Sequence, residues 1–192
     1  MRGEFRGVTD HFSVLGIPRA PQVDAEVLKE RFHRLGAAAH PDGGGADAAF
    51  ATVNEAWQTL RTAAGCLRHF LELEHPDALA ITAQTPPELG DLFMEIAGLQ
   101  HAVRQFSARR AQLASPIGRA LIEPERLRLV ENVRSLSFQV AERTGAACAG
   151  VRAGANEPAN LAHLLAHLVF LGKWEREVRE MELALQFPGE HR

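Results

Sequence analysis

The stretch His40-Pro41-Asp42-Gly43-Gly44-Gly45 decides how the first part of this chain folds. Before it, Asp24 to Ala39 carries Leu28, Phe32 and Leu35 at i, i+4 and i+7, a single apolar stripe at helical spacing. Pro41 disfavours the α region at His40, so that helix stops there. The glycines let the chain reverse at low steric cost. Asp47 can then cap a second helix through its side-chain oxygen. That helix, to about Arg61, carries Phe50, Val53, Trp57 and Leu60 as its own stripe. The two stripes predict an antiparallel αα-hairpin with a buried seam. Its polar tip would present His40 and Asp42 to solvent, with Pro41 fixing their spacing.

Moving outward, Asp10 is a candidate N-cap for a short helix that Gly16 and Pro18 end, with Phe12 and Leu15 packing on one side. Residues 18–23 form a loop, and Asp24 caps the helix that follows. Downstream, Thr62 to Glu74 continues helical with Leu67, Phe70, Leu71 and Leu73. His75-Pro76-Asp77 repeats the letters of the first tripeptide, but no glycine loop and no striped helix follow it. A His before a Pro ends a helix, and this second copy is expected to do only that. Residues 76–87, with Pro76 and Thr85-Pro86-Pro87, form a linker, so the chain divides near residue 80 into domains 1–79 and 80–192.

The second domain is expected to hold three helices. The first, about 87–113, carries Leu89, Leu92, Phe93, Ile96, Leu99, Val103, Phe106 and Leu113, and Pro116 and Gly118 break it. The second, about 123–144, carries Leu127, Val130, Val133, Leu136 and Val140, and Gly145 ends it. The third starts at Pro158, a first-turn proline, and keeps Leu161, Leu164, Leu168, Leu171, Trp174, Val178, Met181 and Leu185 on one stripe. Three such stripes bury one another in an antiparallel bundle. No strand pattern competes, so the fold class is all-α: a helical hairpin domain followed by a three-helix bundle.

The chain has 192 residues, 46% hydrophobic and 23% charged, the composition of an ordinary globular protein. A net charge of −3 argues against a nucleic-acid partner, which normally meets a basic face. No apolar run reaches the length of a membrane span. The stretch Met1 to Arg6 lacks the apolar core of a secretory signal, so the expected compartment is the cytoplasm and no membrane is involved. Cys66 and Cys148 form no CxxC pair, so neither a zinc knuckle nor a disulfide is expected. His163 and His167 stand at the i, i+4 spacing of a zinc-binding helix, but residue 164 is Leu where such motifs carry a general base. With no phosphate-cradling loop and no nucleophile elbow, the sequence suggests no enzyme, cofactor or metal. A helical metal-dependent enzyme using His163 and His167 is the alternative from another functional class.

Helix–His-Pro-Asp–helix is the arrangement of J-domain co-chaperones, and the flanks of this tip resemble them. Upstream stands Asp10-His11-Phe12-Ser13-Val14-Leu15-Gly16-Ile17-Pro18, close to a J-domain opening. Downstream, Trp57-Gln58-Thr59-Leu60 is similar to the J-domains of the HscB family, which serve iron–sulfur cluster assembly. Leu92-Phe93-Met94-Glu95 and Phe170-Leu171-Gly172-Lys173 resemble stretches of that family's bundle. The resemblance implies a non-enzymatic co-chaperone that stimulates the ATPase of a DnaK- or HscA-type chaperone. His40, Pro41 and Asp42 would dock the chaperone, helped by Lys29, Arg31, His33 and Arg34, among which Glu26 and Glu30 are interspersed. The client would be an IscU-like iron–sulfur scaffold, met by Phe93, Met94 and Phe170. The family's aromatic before the His and Lys after the Asp are here Ala39 and Gly43. Ala97, Gly98 and His101 stand where the family commonly has a large apolar residue and acidic ones, so a J-protein with a different client is the nearer alternative.

Overall fold

The computed structural model describes residues 9–39, 47–83, 86–153 and 157–186, and their regular structure is all helical, with no strand among them. The helices are α1 His11–Leu15, α2 Ala25–Ala39, α3 Asp47–Leu60, α4 Ala63–Glu74, α5 Gly90–Ala111, α6 Pro116–Leu121, α7 Glu123–Arg152 and α8 Pro158–Gln186. Short 3-10 stretches lie at Pro76–Ala83 and Pro87–Leu89. The chain groups into two compact units. One comprises residues 1–84 with 148–168, the other 85–147 with 169–192.

In the first unit the helix ends follow from local chemistry. The Asp10 carboxylate accepts from Phe12 N (3.1 Å) and Ser13 N (3.2 Å), satisfying two orphan donors of α1. Gly16 ends that helix at φ 62°, a left-handed position that favours glycine. The Asp24 carboxylate takes Glu26 N and Val27 N at the start of α2, and Thr62 Oγ1 takes Gly65 N at the start of α4. The capping expected of the Asp47 side chain, and the tip His40 to Gly45, lie outside the described residues.

Phe12, Leu15, Leu28, Val53, Ala56, Leu60 and Cys66 form one buried cluster, with Phe32, Leu35 and Trp57 packed partly buried against it. The stripes of α2 and α3 therefore face each other as their spacing predicts. Trp57 stacks on Phe32 with ring centroids 4.8 Å apart and an interplanar angle of 22°. It is only half-buried, however, because it lies at the margin of the cluster and not at its centre. The Cys66 thiol is buried and points toward the Ala20 carbonyl at 3.6 Å. Desolvation pushes it up to about 11, against a smaller lowering by a backbone hydrogen bond at Val23. The second tripeptide ends α4 as expected: His75 is the C-cap, and Pro76 opens the 3-10 stretch.

Residues 148–152 of α7 and 158–168 of α8 also belong to this unit. Gln22 bridges to the first of these, its amide nitrogen donating to the Cys148 carbonyl and its amide oxygen accepting from Arg152, both at 3.1 Å.

In the second unit, α5 and α7 run antiparallel: Gln139 donates to Glu95 at 3.2 Å, Arg143 donates to the Glu88 carbonyl at 3.2 Å, and Arg109 pairs with Glu125. The start of α7 meets the end of α8 through Arg126 and the Leu185 carbonyl, 3.3 Å apart, so these two are antiparallel as well. Leu92, Ile96, Val103 and Phe106 from α5, Val133, Leu136 and Val140 from α7, and Leu171, Trp174 and Val178 from α8 supply buried core.

Three details depart from the expected helices. First, α7 does not end at Gly145 but runs on to Arg152. A helical glycine costs only about 1 kcal/mol relative to alanine, and Ala147 and Val151 beyond it are buried. Second, the break at Pro116 contains a helix of its own, α6, with Pro116 in its first turn and Ser115 Oγ accepting from Gly118 N at 2.9 Å. Third, two stripe positions shift. Leu129 is buried while Leu127 is 56% exposed, and Leu165 is buried while Leu164 is half-buried.

Candidate functional site

Two surfaces carry the residues singled out in the sequence. The first flanks the tip between α2 and α3. The tripeptide itself lies outside the described residues, but the helices that leave and re-enter it end at Ala39 and begin at Asp47. Along α2, Lys29, His33 and Arg34 are exposed and Arg31 is half-buried. Glu26 and Glu30 are exposed on the same helix, so the face is of mixed charge. Its geometry follows from the buried stripe: with Leu28 inward, a turn's worth of polar side chains must point outward.

The first unit is braced behind this face. Arg19 donates to Asp10 Oδ2 at 2.8 Å and to Glu74 Oε1 at 2.7 Å, tying the loop after α1 to the end of α4. Burial pushes the Asp10 carboxyl up, but hydrogen bonds from Ser13 and Arg19 outweigh it and hold the group at about 2. The carboxylate is thus charged, and able to cap α1, throughout the neutral range.

The second surface lies in the other unit, on α5 and α8. Phe93 is 49% exposed and Met94 68% exposed, while Phe170 is half-buried. Phe93 and Phe170 both approach the buried Trp174, with centroids 6.3 Å and 5.9 Å away. The three rings form an aromatic edge that is anchored on its inner side and open on its outer side. Trp174 was visible in the sequence only as one member of a stripe; nothing local marks it as the floor of a surface cluster. Beside Met94, an open groove of ≈ 460 Å³ runs between α5 and α7, lined by Glu95, Gly98, Leu99, Leu129 and Asn132. Gly98 and His101 are exposed, Ala97 is half-buried, and His101 Nε2 meets Gln105 Nε2 at 2.8 Å. Exposed aromatic and thioether surface of this kind favours a protein partner.

His163 and His167 of α8 lie in the first unit with ring centroids 4.6 Å apart; the former is exposed and the latter half-buried. Among the described residues, no helix is long and apolar enough to cross a membrane.

Two helices, α2 and α3, that pack along their apolar stripes, with the antiparallel helices α5, α7 and α8 of the second unit, are the all-α class of arrangement that these elements define. No protein-family model matches the chain. A stretch of 51 residues, 27% of this chain, is 39% identical to a tetratricopeptide repeat and J domain-containing co-chaperone of Cryptococcus neoformans, of which it covers only 9%. Among solved structures, the chaperone HscB from Vibrio cholerae resembles the chain with a TM-score of 0.60, covering 92% of this chain and 99% of that one at 20% identity. More particularly, then, the fold is that of HscB, from the J-domain-like helices through the bundle.

Proposed function

We propose that this protein is a J-domain co-chaperone of the HscB type. In this reading residues 1–79 act as the J-domain and stimulate ATP hydrolysis by a DnaK- or HscA-type chaperone in the cytoplasm. Residues 80–192 act as the client-binding domain and deliver an IscU-like iron–sulfur scaffold. The observation that carries the proposal is the position of His40-Pro41-Asp42 between α2 and α3 of an HscB fold.

The roles follow from side-chain chemistry. Asp42 offers an acceptor-only carboxylate that can take a bidentate arginine from the chaperone. His40 offers one donor and one acceptor, and Pro41 holds the two apart at fixed spacing. Lys29, Arg31, His33 and Arg34 add positive charge along α2 for an acidic partner face, which raises the association rate more than the final affinity. The protein performs no bond chemistry; it changes the rate of its partner's.

Phe93, Met94 and Phe170 offer the client an apolar contact. A steady-state ATPase assay with each chaperone, with and without scaffold protein, tests both halves. Stimulation by wild type, lost in His40→Gln and Asp42→Asn, supports the J-domain half. Binding of the scaffold to wild type, weakened at least tenfold in Phe93→Ala/Met94→Ala, supports the client half; a tenfold change corresponds to about 1.4 kcal/mol.

One observation favours a second client. Gly98 and His101 are both exposed beside Met94, and neither supplies the apolar bulk or the negative charge that the family's scaffold-binding surface commonly has. Stimulation of the ATPase without detectable scaffold binding would select this reading.

A further inference from the structure

Two histidines are buried together where α1 meets α4. His69 is 2% exposed and His11 8%, and their rings lie 4.6 Å apart at an angle of 38°. The His11 backbone N–H donates to His69 Nε2 at 3.1 Å. That contact completes the amino end of α1. Asp10 takes the N–H groups of Phe12 and Ser13, and the ring of His69, 58 residues away in sequence, takes the remaining first-turn donor.

The hydrogen bond dictates the tautomer. Nε2 of His69 must present a lone pair, so the ring hydrogen sits on Nδ1, which faces Glu72 Oε2 at 3.4 Å. Phe12 stacks on the same ring at 5.4 Å and 23°, closing it from water. Next to it, His11 Nδ1 is buried without a hydrogen-bond partner among the described residues. The His11 ring cannot take a proton without loss. A proton on His11 places a charge in a desolvated site against a second imidazole.

We propose that the His11–His69 contact is an acid-sensitive latch, which fastens α1 to α4 at neutral pH and releases the amino end of α1 when the His11 ring takes up a proton. The groups that face it pull in both directions. Desolvation and then His69 hold the His11 ring below its ordinary 6.5, while Glu55 from α3, Asp10 beside α1 and Glu72 from α4 oppose that lowering. Asp10 is already committed to Arg19, Ser13 and the backbone of α1. Because the folded value lies below the unfolded one, the latch is fully closed above about 6.5 and weakens as pH falls through that value. The inference needs neither the HPD tip nor the client surface, so it stands or falls apart from the proposed function.

The test is NMR on the full chain. Ring nitrogen shifts at pH 7.5 should report the Nδ1–H form of His69. Exchange protection of the His11 amide, corrected for the intrinsic rate, should fall about tenfold per pH unit once the His11 ring titrates, while the Val133 amide in α7 keeps its protection. The double variant His11→Phe/His69→Gln removes the ring at position 11 and keeps an acceptor at position 69, and its residue-11 amide should show no such fall. An Nε2–H form of His69 at pH 7.5, or His11 protection independent of pH down to 5, would overturn the proposal. So would an unchanged fall in the double variant. If that variant does not fold, the tautomer and protection of the wild type decide the matter.

Discussion

The letters His-Pro-Asp occur twice, at 40–42 and at 75–77, and the structure treats their surroundings differently. The first copy lies between two helices whose stripes meet, α2 with Leu28 and Phe32, α3 with Val53 and Trp57. The second follows α4, and its proline opens a 3-10 stretch with no striped partner helix. A proline after histidine ends a helix in either setting. Whether the break becomes a tip depends on what the following residues can pack against. A tripeptide is therefore informative only with the apolar spacing on both sides of it.

Four measurements would break or sharpen that contrast. The largest effect is expected at the first copy: His40→Gln and Asp42→Asn should abolish stimulation of a DnaK- or HscA-type ATPase while circular dichroism and melting stay unchanged. A buried, desolvated charge pair that loses one member costs about 2–5 kcal/mol of binding. If both folded variants stimulate as well as wild type, the two copies are equivalent turns and the co-chaperone reading goes.

Next in size is the seam that makes the first copy a tip. Trp57→Ala removes the ring stacked on Phe32, and denaturant unfolding should register a loss of about 2–3 kcal/mol. That is below the ~3–5 kcal/mol of a fully buried aromatic, because Trp57 is half-buried. A loss under about 0.5 kcal/mol would mean that the hairpin does not depend on this stack.

Smaller again is the brace behind the hairpin. Asp10→Ala should cost about 1–2 kcal/mol at pH 7 through the lost cap. The wild-type carboxyl sits near 2 in the folded protein against 3.8 ordinarily. Its contribution is therefore present above about 3.8 and is lost as pH falls toward 2, so the stabilities of wild type and variant should converge over that interval. Parallel curves across it would assign the cost to something other than the charged cap.

The smallest effect is expected at the second copy. Asp77 is exposed, and Asp77→Asn should shift stability by less than about 0.5 kcal/mol and leave ATPase stimulation intact. Lost stimulation in the folded variant would give the second copy a role that the contrast denies it.

Much of the fold could be read from spacing and caps. Asp10, Asp24, Thr62 and Pro158 all mark helix starts through residue types with a known preference for those positions. The structure departs from the spacing where spacing cannot discriminate. Leu127 and Leu129, or Leu164 and Leu165, are equally apolar, and only packing in three dimensions chooses between them. Gly145 looked like a terminus because glycine is a common one, yet the buried residues after it keep the helix going. Of the candidate surfaces, the outward face of α2 follows from its inward stripe. The exposure of Phe93 does not, since Leu92 and Phe93 are both apolar and the core takes only the first. The contact of His11 with His69 has no local signal at all, because it joins residues 58 apart.

Cys66 has a practical consequence. With burial pushing the thiol up to about 11, little of it is thiolate at neutral pH, and the sulfur is shielded inside the cluster of the first unit. Cys148, less buried, is the thiol that an alkylating reagent meets first. Once Cys148 is replaced, any label that reaches Cys66 records a moment when α4 has come away from its neighbours. The protein thus carries its own clock for transient opening of the helices of the first unit, readable by mass spectrometry as the rate at which Cys66 gains the label.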